Sequence, residues 1–240
     1  FKTILLVVES PTKARTIANF FGKPARRRIG QLIVYETPIV DGSKIIYLNI
    51  LATRGHIFDL TTDPSRGLYG LEYNADSKEY NPVYNTIKRC RLCGHQFSHG
   101  NSCPRCGSTS IYDALEVVNV LRKLASEVDE ILIGTDPDIE GEKIAFDIYL
   151  IVKPLNNHVY RVEFHEITRK ELEKALKEKR SININLVQAQ LYRRILDRII
   201  GFSLSTELWN KFNKHWLGAG RVQTPVLGWI IDAYRKWKEK

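Results

Sequence analysis

Two short apolar runs, "ILLVV" at Ile4–Val8 and "EILIG" at Glu130–Gly134, constrain the fold most. Neither alternates with polar residues, so each reads as a strand buried on both faces. Each is followed by acid and then by a helix start. After the first comes Glu9, then Ser10 as a natural N-cap and Pro11 at the first helical position, with Gly22 at the exit. After the second comes "GTDPDIEGEKIA", which carries Asp136, Asp138, Glu140 and Glu142. "KIIYLNILAT" and "HVYRVEF" are further strand candidates. "ALEVVNVLRKLASE" has helical periodicity, with Leu115, Val118, Leu121 and Leu124 on one side, and "DIEGEKIAFDIYLIV" also reads as a helix. This alternation predicts a three-layer α/β domain around a mainly parallel sheet. Ligands bind such sheets beyond the carboxyl ends of the strands, where Glu9 and the acidic stretch both fall. Residues 61–88, rich in turn formers and tyrosine, are expected to be irregular.

From Thr168 the pattern turns helical, placing a domain boundary near Glu166–Thr168. Thr168 and Glu171 form a capping box. "NLVQAQLYRRILDRIIGF", "LSTELWNKF" and "TPVLGWIIDAYRKWKEK" read as three successive helices, the last with Thr224 as cap and Pro225 at N1. Trp209, Trp216 and Trp229 are expected among these helices as core, with base stacking as the alternative.

All four cysteines lie in "CRLCGHQFSHGNSCPRCG", as Cys90, Cys93, Cys103 and Cys106. Two C-x-x-C pairs at this spacing form a zinc ribbon, the alternative being disulfides or free thiols. Gly94 and Gly107 follow the pairs, and glycine permits the positive φ that turns backbone amides toward thiolates. Four sulfurs complete a tetrahedron, so the site is closed and structural, leaving His95 and His99 surplus.

The chain is basic, with 36 Lys and Arg against 27 Asp and Glu, a net charge of +9. That favours a polyanionic partner, most simply nucleic acid. No apolar run reaches the ~18–20 residues of a membrane span, and no secretory signal pattern appears, so a cytoplasmic protein is expected. The absence of Met suggests a piece of something longer and, with abundant Lys, Glu and Ile, a hot-environment source.

Acid concentrated at one point of a basic chain needs a reason. Asp136 and Asp138 lie two apart past a strand, Glu140 two further on, and Glu9 ends a neighbouring strand. Two bare charges ~4 Å apart repel by about 1–4 kcal/mol in effective dielectrics of 80 down to 20. Such a group takes up a cation or a proton. Hard oxygens suit Mg²⁺, while Lys13, Lys143 and nearby arginines are the alternative neutralisers. Lys13 also places a point charge beside any bound phosphate, and the combination fits phosphoryl transfer. His56 can face the site, though a lone histidine is more often packed structurally.

In order along the chain, "VVESPTKARTIANFFG", "ATRGHIFDL", "GTDPDIEGEKIAFDI", "VEFHEIT", "RRILDRIIGFSLSTELW" and "LGAGRVQTPVLGWII" resemble type IA DNA topoisomerases over nearly the whole length. The resemblance implies a Rossmann-like Toprim domain at residues 1–167, a zinc-ribbon insertion at about 88–110, and at 168–240 the start of the helical domain that lines a DNA gate. Within that family the cysteine module and "WLGAGRVQTPVLGW" are most similar to reverse gyrases. Ile139 stands where many bacterial members carry Arg.

The resemblance implies roles residue by residue. Glu9 is a metal ligand and proton carrier, and Lys13 stabilises the scissile phosphate. Asp136 and Asp138 hold Mg²⁺ with Glu140 in support. Arg193, Arg194, Asp197 and Arg198 face DNA, and Arg221, a further catalytic candidate, lies with Gln223 in the loop that contacts the strand. Without the resemblance, Arg193–Asp197 is a favourable i,i+4 pair and Arg194–Arg198 an unfavourable one, consistent with a bound anion or solvated arginines. No tyrosine of this chain lies in the surroundings the family uses for its nucleophile. The expected partners are therefore single-stranded segments of DNA, a region carrying that tyrosine, and a helicase-like module as the only route to ATP. The rival readings are a primase-like Toprim nucleotidyltransferase and a non-catalytic zinc-ribbon module that only binds nucleic acid.

Overall fold

The computed structural model describes residues 1–41, 44–63, 65–68 and 70–239. Its strands in chain order are β1 (Lys2–Val8), β2 (Ala25–Ile29), β3 (Leu32–Asp41), β4 (Lys44–Ala52), β5 (Phe58–Leu60), β6 (Leu71–Asn74), β7 (Glu79–Pro82), β8 (Tyr84–Thr86), β9 (Lys88–Cys90), β10 (Gln96–Phe97), β11 (Ile111–Asp113), β12 (Glu130–Ile133) and β13 (Val159–Arg161). The α-helices are α1 (Pro11–Ala18), α2 (Leu115–Ala125), α3 (Ile139–Val152), α4 (Arg169–Ala175), α5 (Ile184–Phe212) and α6 (Gln223–Lys238). Two compact units result, one of residues 1–59 and 84–190, the other of 60–83 and 191–240.

The first unit is built on a six-stranded sheet in the order β13-β12-β1-β4-β3-β2. The four strands from β13 to β4 are parallel, while β3 and β2 add antiparallel pairs. The sheet is thus mixed, with its parallel part carrying the acid-tipped strands. The β2–β3 hairpin was not legible in the sequence, because Arg26, Arg27 and Arg28 and then Pro38 break any apolar run there. An edge position explains the arginines, since β2 closes the sheet and charged side chains suit an edge strand, and Pro38 lies on β3 beyond the last β2 pair, Ala25 with Glu36.

Successive residues of β1 go to opposite layers, because side chains alternate along a strand. Leu5 and Val7 pack with α2 and α3, while Ile4, Leu6 and Val8 pack with α1 and α4. Burial on both faces is why the run is continuously apolar. Ser10 caps α1, its hydroxyl accepting from Lys13 N, and Pro11 is the first helical residue. Thr168 likewise accepts from Glu171 N at the start of α4. On α2 the buried stripe is Val117, Val118, Leu121, Leu124 and Ala125, whereas Leu115 is exposed at the helix entry rather than on the core face.

The cysteine segment folds as a three-stranded sheet in the order β10-β9-β11. Gly94 and Gly107 adopt φ of 71° and 72°. Their amides donate to Cys90 O and Cys103 O.

The second unit corrects several expectations. In residues 60–83 the stretch expected to be irregular contains the β6–β7 hairpin. The two helices expected on either side of Phe202–Leu204 are one helix, α5, running through Gly201. Glycine costs about 1 kcal/mol in a helix and does not by itself end one. Helix α6 starts at Gln223 after Val222, so Thr224 is not its cap and Pro225 is the third helical residue. The Thr224 hydroxyl instead accepts from Gly220 N, closing the "GAGRVQ" turn. Trp216 and Trp229 are 76% and 70% exposed, not core, while Trp209 is half-buried and donates to Leu217 O.

Candidate active site

Strands β1 and β12 are parallel neighbours, so their carboxyl ends emerge side by side. Gly134 N donates to Val7 O, which carries the β12 ladder one residue past the strand. The next step brings the two acids together, with Asp136 N donating to Glu9 Oε1 at 2.9 Å. On the other side of β1, Thr53 N and Arg54 N donate to Val8 O and Glu9 O. The "TRGH" turn wraps the Glu9 backbone this way, with Arg54 and Gly55 at φ of 67° and 100°.

Lys13, in the first turn of α1, is paired with Asp136 Oδ1. Asp138 caps α3, its Oδ1 accepting from Gly141 N at 2.6 Å. Glu140 Oε1 is hydrogen-bonded to His56 Nε2, so the histidine joins the site through a carboxylate. Burial pushes the Glu9 carboxyl above its ordinary value; the Asp136 amide and the Lys13 ammonium oppose that rise, while the charges of Asp136 and Asp138 add to it.

Two residues of the acidic stretch do other work. Glu142, only 1% exposed, turns inward and accepts from Arg161, from both terminal nitrogens of Arg180, and from Asn183 N. Against the cost of burial, these donors hold its carboxyl down at about 2. Lys143 is buried on Asp147, with its ammonium over the Tyr84 ring, rather than neutralising the acidic cluster. Burial sets both fates, because a charge inside the fold must be paired.

Arg161 was missed in the sequence, where it sits unmarked inside "HVYRVEF". It is fully buried at the end of β13, and Nη2 donates to Asp136 O at 2.8 Å. A charged residue amid a short apolar strand was the available signal.

Among the described residues, only the four cysteine sulfurs form a group of potential ligand atoms all within 4.8 Å of one another. Cys90 and Cys106, and likewise Cys93 and Cys103, lie 3.6 Å apart at sulfur. Tetrahedral zinc with Zn–S near 2.3 Å requires S···S of about 3.75 Å. The Cys93 amide, aided by that of Leu92 and opposed by burial, lowers the Cys90 thiol to about 6, whereas at Cys106 the lowering by the Ser108 amide is outweighed by the neighbouring thiols, which push it up to about 12. The carboxylates make no such closed group. Glu9, Asp136 and Asp138 are nonetheless hard oxygen donors whose mutual repulsion Lys13 offsets only in part, a donor set of the kind that fits a magnesium ion keeping most of its waters.

Arg193, Arg194, Asp197, Arg198, Arg221 and Gln223 belong to the second unit. Asp197 bridges Arg221 Nε at 2.9 Å and Arg193 Nε at 3.7 Å. Arg198 donates to Leu60 O and lies 4.7 Å from the Phe202 ring centroid. Gln223 opens α6. These contacts gather two arginines around one acid, and on α6 Trp229, Tyr234 and Trp237 are exposed.

Two family models match. One, described as Toprim domain, covers residues 4–167, and one described as DNA topoisomerase covers 181–240. The chain is 55% identical over 241 residues to reverse gyrase 2 of Aeropyrum pernix and 56% identical over 242 residues to reverse gyrase of Pyrococcus furiosus. Each comparison covers 99% of this chain but 20% of the relative, so the chain spans about a fifth of their length. Among solved structures, full-length topoisomerase I from Thermotoga maritima matches with a TM-score of 0.55 and 30% identity, over 85% of this chain and 26% of that one.

Proposed function

The chain belongs to the Toprim family and is a segment of a reverse-gyrase-like type IA DNA topoisomerase; from that premise we propose that it supplies the metal and phosphate half of a DNA strand-cleavage and rejoining site. The observation that carries this reading is the meeting of Glu9 and Asp136 at adjacent strand ends, with Lys13 on Asp136. Glu9, Asp136 and Asp138 would hold Mg²⁺, with Glu140 in support. When bound, the ion supplies Lewis-acid stabilisation of charge on a phosphate oxygen. Lys13 Nζ, which pairs with Asp136, would supply a second positive charge to the scissile phosphate. Glu9 has a raised affinity for protons and would give one from its carboxyl to the leaving sugar oxygen, which departs as a hydroxyl as the phosphorus–oxygen bond breaks. Arg193, Arg194, Arg198, Arg221 and Gln223 hold the strand. Asp197 spaces two of the arginines through its pairs with Arg193 and Arg221.

The tyrosine nucleophile and a helicase-like ATPase lie elsewhere in a full-length cytoplasmic enzyme, as domains or as a second subunit. We keep residues 1–167 as the Toprim domain and 168–240 as the start of the helical DNA-binding domain. No helix among the described residues is long and apolar enough to cross a membrane.

The test is covalent trapping of DNA on the full-length enzyme with Mg²⁺. Asp136→Asn is expected to lower adduct formation by about a hundredfold or more. Undiminished adduct would overturn the reading. The isolated chain is expected to bind single-stranded DNA without forming an adduct, and an adduct on this polypeptide would put the nucleophile here.

A further inference from the structure

The acidic turn from Gly134 to Asp138 leaves β12 without regular pairing, and its carbonyl groups need partners in a buried setting. One side chain supplies a partner to one of them, Asp136 O, while also bonding Ile133 O and Val162 O at the neighbouring strand ends. Arg161 Nη1 donates to Ile133 O at 3.0 Å and to Val162 O, and Nη2 donates to Asp136 O at 2.8 Å. Its Nε reaches Glu142 Oε2 at 3.1 Å. Glu142 is fixed in turn by Arg180 and by Asn183 N, and Asn183 Oδ1 accepts from Asn185 N and Leu186 N at the entry to α5. Helix α3 also lies so close that a Cβ on Gly141 would be 2.1 Å from Asp136 O. The Asp136 carbonyl is thus held by a guanidinium and closely approached by a glycine.

Stability alone does not explain such a device. A buried ion pair is often no better than apolar residues of the same volume. What an apolar replacement cannot do is bind three carbonyl oxygens and a carboxylate at set directions. Lysine cannot do so either, because its single ammonium lacks the planar fork.

We infer that Arg161 is the positioning residue of the metal site, its grip on the Asp136 carbonyl fixing where the Asp136 carboxylate stands toward a divalent cation. This rests on the proposed role of Asp136 as a ligand. Groups that orient ligands from behind typically change metal affinity by about 10–100-fold when altered.

The experiment uses the full-length enzyme and Mn²⁺ alone, with binding read by electron paramagnetic resonance rather than by catalysis. Arg161→Lys is expected to weaken Mn²⁺ by about tenfold or more. The Mg²⁺ concentration for half-maximal DNA cleavage should rise by the same factor, and cleavage should recover at saturating Mg²⁺. Zinc content and metal-free DNA binding should stay unchanged. Lower thermal stability with wild-type Mn²⁺ affinity would mark Arg161 as structural and overturn the inference. Should Arg161→Lys fail to fold, Glu142→Gln decides, because it loosens Arg161 at Nε and alters no proposed ligand. Weakened Mn²⁺ there supports the inference, and unchanged affinity overturns it. If Asp136→Asn binds Mn²⁺ as tightly as wild type, the ligand role itself fails and takes this inference with it. Loss in Asp136→Asn with none in Arg161→Lys or Glu142→Gln overturns the positioning role alone.

Discussion

Replacing Glu142 by Gln removes one negative charge from a site where Arg161 is fully buried and Arg180 donates through both terminal nitrogens. Its carboxyl sits at about 2 against an ordinary 4.5. That gap corresponds to about 3 kcal/mol at neutral pH. Leaving a buried partner uncompensated costs about 3–5 kcal/mol, so the two routes agree. The partners respond as a pair should. Burial pushes Arg161 below its ordinary value against the Glu142 charge, and the Glu142 hydrogen bonds raise Arg180. Because the folded carboxyl is depressed, this stabilisation is complete above pH 4.5 and is lost as pH falls toward about 2.

The local assay is hydrogen exchange at the Val162 amide, which donates to Ile133 O beside Arg161. Glu142→Gln should speed that exchange by about 300-fold at pH 7 and by only about tenfold at pH 3. The four tryptophans all lie beyond residue 208 in the second unit, so fluorescence would report the wrong region. A gap that stays constant between pH 7 and pH 3 would refute the linkage, and no gap at pH 7 would refute the ion pair as a source of stability.

Other consequences are open to direct measurement. Burial, first among the causes that raise the Glu9 carboxyl, penalises its charge, so Glu9→Gln should raise the metal-free melting temperature at neutral pH. That advantage should vanish as pH falls to 4.5, where wild-type Glu9 also becomes neutral. Cys103→Ser should abolish stoichiometric zinc, measured by chelator colorimetry, and unfold the β9–β11 module while far-ultraviolet dichroism of the larger sheet persists. Leu6→Ala, at a fully buried position, should cost about 2–5 kcal/mol in urea unfolding. Arg221→Ala in the full-length enzyme should weaken DNA binding and reduce the salt slope by about one.

Much of this molecule is written in local pattern. Ile4–Val8 is apolar without alternation because β1 lies between two helical layers, and that alone announces a parallel sheet. The caps at Ser10 and Thr168 and the positive φ at Gly94 and Gly107 follow from chemistry confined to a few residues. Pairing across distance is what the pattern hides. Glu140 and Glu142 look alike in sequence, yet one meets His56 near the surface and the other is sealed under Arg161 and Arg180. Helical spacing puts residues two apart on opposite faces of α3, but which face is sealed depends on Arg161 and Arg180, distant in sequence. Arg161 was hidden for the same reason, since its partners lie on β12, its acidic turn and α3. Trp229 of α6 was misjudged because an apolar helical stripe indicates that a face is covered, not by what. The described residues leave Trp229 and Trp237 exposed.

The most direct test is anomalous scattering from a crystal of this chain soaked in Mn²⁺, collected at the manganese edge. The account predicts a peak bounded by Glu9, Asp136 and Asp138, with the Lys13 ammonium moved off Asp136. Lys13 still seated on Asp136, with no anomalous density at those carboxylates, would contradict it.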